Sequence, residues 1–209
     1  MSARGFVLAS ASPRRREILG TLGLHFDVEV SAIDEATREG ELAADYVLRI
    51  ARDKARTVAA RIAERDGTDA RVVLAADTTV VLDGEILGKP EDDTDARRML
   101  RALSGRAHEV LTAIVAVTRE GEEAVVRGRV VRTEVAFRPL DDAAIEAYLA
   151  GGEHRDKAGA YGIQGLAMGF VTDLRGSYTN VVGLPAAETI ELLLESRAIA
   201  RWPAREHAR

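Results

Sequence analysis

The sequence contains no cysteine, only four histidines, and 4% aromatic residues. The absence of cysteine excludes disulfides, thiolate metal sites and thiol nucleophiles, and it accords with a reducing cytoplasm. His25, His108, His154 and His207 show no zinc-ligand spacing, so each reads as a surface or hydrogen-bonding residue. The tyrosines and the single Trp202 form no base-stacking pattern. No Gly-x-Ser-x-Gly elbow supports Ser-His-Asp chemistry. No apolar run approaches the roughly 18 residues of a membrane helix, and the short apolar stretch Phe6 to Ala9 gives way at Ser10, which leaves no signal-peptide core. The expectation is a soluble cytoplasmic protein. Positive charge is also short: 29 Lys and Arg stand against 34 Asp and Glu, a formal net charge of -5. A duplex-DNA binder needs a basic footprint, whereas a triphosphate needs only a local cluster of cations.

What is present is enough apolar material for a core. Hydrophobic residues make up 46% of the 209, which suits one domain or two closely merged lobes. Short apolar strands alternate with helical stretches, the pattern of an α/β fold. Gly5 to Ala9 reads as a first strand, and Pro13 opens a helix at its first turn, where a missing amide proton costs little. Phe26 to Ser31 reads as a second strand. From Ala43 to Ala63, Val47, Ala51, Val58 and Ile62 recur at helical spacing, and Lys54 lies on the same stripe, either snorkelling outward or entering a cleft. Arg71 to Ala76 reads as a strand closed by Asp77. Thr79 to Leu82 and Glu85 to Leu87 form a hairpin around Asp83-Gly84. A helix over Thr94 to Leu103, strands over His108 to Val117 and Ala124 to Phe137, and a helix capped by Asp141 follow. Gly151 to Gly183 is glycine-rich with one strand near Phe170 to Leu174, then Pro185 to Leu194 is helical. The tail to Arg209 reads as polar and frayed.

Four constellations carry chemistry. Asp77 is a lone carboxylate at the end of an apolar strand, where α/β folds favour ligand sites, although a turn or cap residue is the simpler reading. Ser10, Ser12, Arg14, Arg15 and Arg16 cluster at a strand-to-helix junction, where free amides and guanidinium forks suit an anion. Three successive arginines cannot all face one ligand, so at least one belongs to the surface or the scaffold. Gly88-Lys89-Pro90 fixes a lysine between two backbone-restricting residues, against the alternative of a solvated loop lysine. Lys157 to Gly165 is dense in glycine and alanine and carries Gln164, where a base or phosphate can approach the backbone. A tight structural loop is the alternative there.

Together these segments resemble the Maf family of nucleotide pyrophosphatases over roughly Phe6 to Leu194. The landmarks stand in order: Leu8-Ala9-Ser10-Ala11-Ser12-Pro13-Arg14-Arg15, Ile33-Asp34-Glu35, Lys54-Ala55, Ala76-Asp77-Thr78, Gly88-Lys89-Pro90, Leu103-Ser104-Gly105, Lys157 to Gly165, and Gly176-Ser177-Tyr178 with Val181 to Pro185. The resemblance implies a mixed α/β fold, a strongly twisted sheet with flanking helices and two lobes around a cleft, akin to inosine-triphosphate pyrophosphatases. It places one domain over residues 1–196 and a polar tail over 197–209. It makes Asp77 the proton acceptor, with Glu35, Lys54 and Lys89 as further pocket residues. Arg14, Thr78 and Gln164 match the specificity positions, while Ser10, Ser12 and Arg15 complete the substrate-binding cluster. It implies magnesium or manganese as cofactor, held by Glu35 and Asp77, and a homodimer.

The implied reaction cuts a nucleoside triphosphate between its alpha and beta phosphates, and the Asp77-Thr78 and Gly162 to Gly165 contexts resemble the dTTP/UTP branch. Rival expectations are 7-methyl-GTP hydrolysis and a non-catalytic regulator of cell division. A carboxylate such as Asp77 suits either proton acceptance or metal holding, and the sequence leaves both open.

Overall fold

The computed structural model describes residues 4–66, 71–120 and 123–203. Its organising element is an eleven-residue strand, β3 (Val72–Leu82), buried on both faces except at Thr78. That double burial follows from the near-continuous apolar run on either side of Asp77-Thr78-Thr79. Strand β1 (Phe6–Leu8) lies parallel to β3 and to the two-residue β2 (Asp27–Val28). On the other side of β3, strands β5 (Ala107–Glu120), β6 (Glu123–Phe137) and β7 (Val171–Arg175) follow antiparallel. Strand β4 (Glu85–Leu87) folds back on β3. The sheet is therefore mixed and open, in the order β2-β1-β3-β5-β6-β7, with helices on its faces, as expected.

The helices sort by side. Helix α2 (Ala43–Asp66) lays Val47, Ala51, Ala55, Val58 and Ile62 on Val73, Ala75, Ala113 and Val115. On the opposite face, α1 (Pro13–Thr21) and α6 (Ala186–Glu195) contribute Leu19, Leu192 and Leu193 against Leu8, Leu74 and Ile114. A third core, at the far end of β3, gathers α3 (Asp93–Leu103), α4 (Asp142–Ala150) and the 3-10 turns at Ala158–Ala160 and Leu166–Phe170. Local chemistry sets the boundaries. Pro13 opens α1, and the Asp92 and Asp141 carboxylates each accept an amide, from Asp95 and Ala144, both at 2.8 Å. Asp83 and Gly84 both take positive φ, 52° and 84°, the conformation that a two-residue hairpin requires.

Three expectations change. The strand expected over Phe26 to Ser31 is only Asp27–Val28: Phe26 stacks on Phe6, but Val30 is half exposed and the chain leaves the sheet. The strand expected to close at Asp77 continues to Leu82, because β5 pairs with it without interruption from Val73 to Val81. Part of the segment read as a frayed tail is docked: the Arg197 and Ala198 carbonyls accept amides from Arg4 and Gly5, and Ala198 is buried. The turn expected at Glu120-Gly121 lies partly outside the described residues.

One buried polar knot fastens the short helix α5 (Tyr178–Val182) to the sheet. The Asn180 side-chain amide donates to the Val110 carbonyl and to Thr133 Oγ1, each at 3.0 Å, and Thr112 Oγ1 donates to the Asn180 carbonyl at 3.0 Å. Truncating Asn180 removes two buried hydrogen bonds, a loss of about 1–3 kcal/mol. Asn180→Ala is expected to lower the thermal midpoint by about 3–10 °C, read by a thermal scan; an unchanged midpoint would show that the knot does not hold α5.

Candidate active site

Strand β1 pairs with β3 only along Val72–Leu74, and Ala9 N adds one bond to the Leu74 carbonyl at 2.7 Å. Strand β4 occupies the same edge at Val80–Leu82. Between them, Ala75 to Thr79 have no neighbouring strand on that edge. A cavity of ≈ 540 Å³ opens at this gap, a size suited to a nucleotide-scale ligand. The ten residues that the resemblance assigns to the site line it, namely Ser10, Ser12, Arg14, Arg15, Glu35, Lys54, Asp77, Thr78, Lys89 and Gln164, whereas Arg16 of the same run does not. Asp77 is thus mid-strand, yet it lies just beyond the carboxyl end of its parallel partner β1, where α/β sheets favour ligand sites.

Strand alternation sends Asp77 and Thr78 to opposite faces. Asp77 points towards α2, where Lys54 Nζ donates to its Oδ1 at 2.8 Å and also pairs with Glu35 Oε1 at 2.8 Å. Lys54 therefore enters the cleft instead of snorkelling away from it. Burial pushes the Asp77 carboxyl above its ordinary value of 3.8, with the charges of Lys54 and Arg15 opposing. Thr78 points towards α1 and α5. Its Oγ1 accepts from Arg15 Nη2 at 3.1 Å and shares a bond with Thr112 Oγ1 at 2.9 Å. Arg15 also donates through Nε to the Gly183 carbonyl at 2.8 Å and through Nη1 to Ser10 Oγ at 3.1 Å. Buried and engaged at all three nitrogens, Arg15 clamps β3 to α1 and α5; it is the arginine of the run that belongs to the scaffold.

Arg14 faces the mouth of the cleft, where Nη1 donates to Asp156 Oδ2 at 3.1 Å. Lys157 Nζ donates to the other oxygen of the same carboxylate at 2.6 Å. The loop that follows is held back to back with the Lys89 loop by a 3.0 Å bond from Gly159 N to the Gly88 carbonyl. Gly159 is required there: its φ is +66°, and a Cβ would stand 2.9 Å from Val80 Cγ2. Lys89 and Gln164 are exposed within the cavity lining, and among the described residues neither side chain has a protein partner. The lining as a whole carries five cationic side chains against three carboxylates, which favours a polyanion.

Sequence reasoning missed Asp156, Tyr46 and Tyr161, which also line the cavity. Tyr46 had a readable signal, since it precedes Lys54 by eight residues on one helix and shares its side. Asp156 had none beyond its place beside Lys157. His108, read only as a surface or hydrogen-bonding residue, is buried, with Nε2 2.8 Å from the Tyr161 hydroxyl. Burial lowers its pKa to about 4, so the ring is neutral.

The donor set suits a hard divalent cation in one particular way. Glu35 and Asp77 offer carboxylate oxygens on either side of Lys54, while among the described residues no three His, Cys, Asp or Glu side chains form a metal cage. Two carboxylates fit an ion that takes its remaining oxygens from bound phosphates and water.

The raised Asp77 pKa carries a sign for stability. A carboxyl titrating higher in the folded chain stabilises the fold below its unfolded pKa, and this contribution is lost as pH rises through the folded value. Near neutral pH the buried charge is therefore a net cost, which Asp77→Asn removes. The variant is expected to melt at or above the wild-type midpoint at pH 7 to 8, roughly, with the difference shrinking as pH falls towards the ordinary carboxylate range of 3.8. Thermal scans across pH check this; a lower midpoint throughout would show that the Lys54 pairing outweighs burial.

Comparisons with known proteins place the chain in a family. The family model described as "Maf-like protein" matches residues 5–196. The dTTP/UTP pyrophosphatase of Anaeromyxobacter dehalogenans (strain 2CP-C) is 56% identical over 196 residues, which cover 94% of this chain and 96% of that protein. The dTTP/UTP pyrophosphatase of Chromobacterium violaceum is 54% identical over 188 residues, covering 90% and 92%. That of Geobacter sulfurreducens is 51% identical over 185 residues, covering 88% and 93%. The solved Staphylococcus aureus Ham1 protein overlays 63% of this chain and 72% of its own at 16% identity and a TM-score of 0.40, too loose a likeness to bear an argument. The family model spans the landmarks from Ser10 to Pro185, the relatives cover nine tenths of the chain, and the chain belongs to the Maf family.

Proposed function

We propose that this protein hydrolyses dTTP and UTP, including modified pyrimidine nucleotides, to the monophosphate and pyrophosphate. The observation that carries the reading is Asp77, a buried carboxylate with a raised pKa, held by Lys54 at a gap in the sheet and facing a cluster of cations. Relatives at 51% to 56% identity bear the name dTTP/UTP pyrophosphatase.

In this reading water attacks the alpha phosphorus, and Asp77 accepts its proton. The bond from that phosphorus to the bridging oxygen breaks, and pyrophosphate departs with the electron pair. Arg14 and Lys89 meet the charge of the beta and gamma phosphates, the guanidinium through its fork and the lysine as a mobile point charge. Lys54 stands between Asp77 and Glu35, which keeps both carboxylates aligned and offsets their mutual repulsion. A magnesium or manganese ion held by Glu35 and Asp77 would supply further charge neutralisation at the attacked phosphate. Gln164, free within the cleft, supplies a neutral donor and acceptor that discriminate a pyrimidine edge by leaving a wrong base unpaired. Thr78 lines the same cleft, but its Oγ1 is already engaged by Arg15 and Thr112 and keeps only a lone pair for a ligand. The backbone amides near Ser10 and Ser12 complete the anion site at the start of α1.

The same reading takes the protein to act as a homodimer in the cytoplasm, away from duplex nucleic acid. The net charge of -5 supports the last point. Among the described residues no helix is long and apolar enough to cross a membrane.

The deciding experiment measures pyrophosphate release with magnesium or manganese from dTTP, UTP, CTP, GTP, ITP and 7-methyl-GTP. Wild type is expected to turn over dTTP and UTP best, and Asp77→Asn to lose at least about 100-fold while remaining folded. In wild type, kcat/KM is expected to rise with pH along an acidic limb displaced above 3.8, because the acceptor must first lose its own proton. A folded wild type that cleaves no triphosphate would make this chain a binder instead. Gln164→Ala is expected to reorder the preference among bases more than it slows hydrolysis; an identical ranking across the panel would remove Gln164 from base recognition.

A further inference from the structure

Glu35 belongs to a strap, residues 29–42, that has no helix or strand of its own. A carboxylate meant to act beside Asp77 is poorly placed on irregular chain unless something fixes it. The strap is fixed from one side of α2. Tyr46 donates its hydroxyl proton to the Glu35 carbonyl at 3.0 Å. Arg49, one turn further, donates through Nη2 to the Ala36 carbonyl at 3.0 Å. The same guanidinium grips Glu41 with a fork, Nε to Oε1 and Nη2 to Oε2, both at 2.6 Å. Glu41 in turn accepts the Arg38 amide at 3.2 Å, and Asp34 accepts the Ala36 amide at 2.9 Å. Arg49 also lies over the Tyr46 ring, 5.6 Å from its centroid. Two turns on, Lys54 takes the Glu35 side chain itself.

We propose that Tyr46 and Arg49 are positioning residues that fix the Glu35 main chain through its own carbonyl and that of Ala36, so that Glu35 meets Lys54 and Asp77 at one point. The inference rests on the pyrophosphatase reading, in which Glu35 acts beside Asp77. Tyr46 suits the task chemically. Its hydroxyl has one proton, and that proton is given to the Glu35 carbonyl. The bidentate Arg49–Glu41 pair closes the strap into a loop whose carboxylate is held well below its usual range by that hydrogen bonding.

The test is a double-mutant cycle between Tyr46→Phe and Glu35→Gln, read as kcat/KM for dTTP with magnesium. Tyr46→Phe removes one hydroxyl from the edge of the cleft, so folding is expected to be unaffected. In the wild-type background it is expected to lower kcat/KM by about 5-fold to 10-fold. In the Glu35→Gln background, where residual turnover no longer uses the carboxylate, the further loss is expected to stay under about 2-fold. Equal losses in both backgrounds would overturn the proposal, because a general structural effect is additive. No loss in the wild-type background would overturn it as well. Hydrogen exchange provides a reading independent of turnover. The amides of residues 35–38 are expected to exchange faster in Tyr46→Phe, and more so in Arg49→Lys, whose amine cannot reproduce the fork. A wild type that cleaves no triphosphate would sink the pyrophosphatase reading, and the exchange rates would then decide the clasp alone: unchanged protection in both variants overturns it.

Discussion

A single ammonium shared by two carboxylates sets the terms for the rest of the site. Lys54 lies among the alanines and valines of α2, where a charge is tolerated only with a partner. Asp77 lies in the middle of the most buried strand under the same restriction. Each makes the other acceptable, and Glu35 completes the balance from outside. The arrangement dictates the position of α2 relative to β3, since the lysine must reach the gap from one particular turn. It also explains why Asp77 keeps a raised pKa despite two neighbouring cations: burial exceeds the help they give. Stability is thus conceded at this carboxylate, the pattern common at functional sites.

The gap in the edge of β3 has a topological cause. A parallel neighbour and an antiparallel hairpin both use the same edge, and they do not meet. Because successive strand residues face opposite sides, a gap five residues long exposes two faces at once. One face presents Asp77 to Lys54 and Glu35. The other presents Thr78 to Arg15, Ser10 and Thr112. The carboxylate–ammonium network and the scaffold bonds are separated by one peptide unit, and neither competes with the other for hydrogen bonds.

Much of this was legible in the sequence. The α2 stripe with a lysine inside it, the Asp83-Gly84 hairpin and the Asp141 cap each express a local rule, and each appears in the structure. The ten site residues could be gathered because the family landmarks stood in order, and all ten line one cavity. Pattern alone did not separate Arg14, Arg15 and Arg16, since which arginine turns inward depends on the carbonyl of Gly183, 168 residues from Arg15. The continuity of β3 was hidden for a related reason. Asp77-Thr78-Thr79 looks like a break, and only pairing with β5 from across the sheet overrides that preference. The strap was invisible as structure because its order comes from side chains of α2 and not from its own periodicity.

The contacts across the cleft differ in strength in a way that suits a ligand that must enter and leave. The Lys54 ammonium is buried between Asp77 and Glu35, so moving it away from its two carboxylates strands charge in a poorly solvated place. Arg14 and Asp156, by contrast, meet at the surface, with the carboxylate 61% exposed. Such pairs contribute little to stability. Asp156 already engages Lys157 as well, so its carboxylate holds two cations of the cleft in place at small cost. In the proposed reaction a triphosphate competes with Asp156 for these two cations. The anion site can therefore open without disturbing the buried pair behind it, and the residues that must not move are those whose displacement costs most.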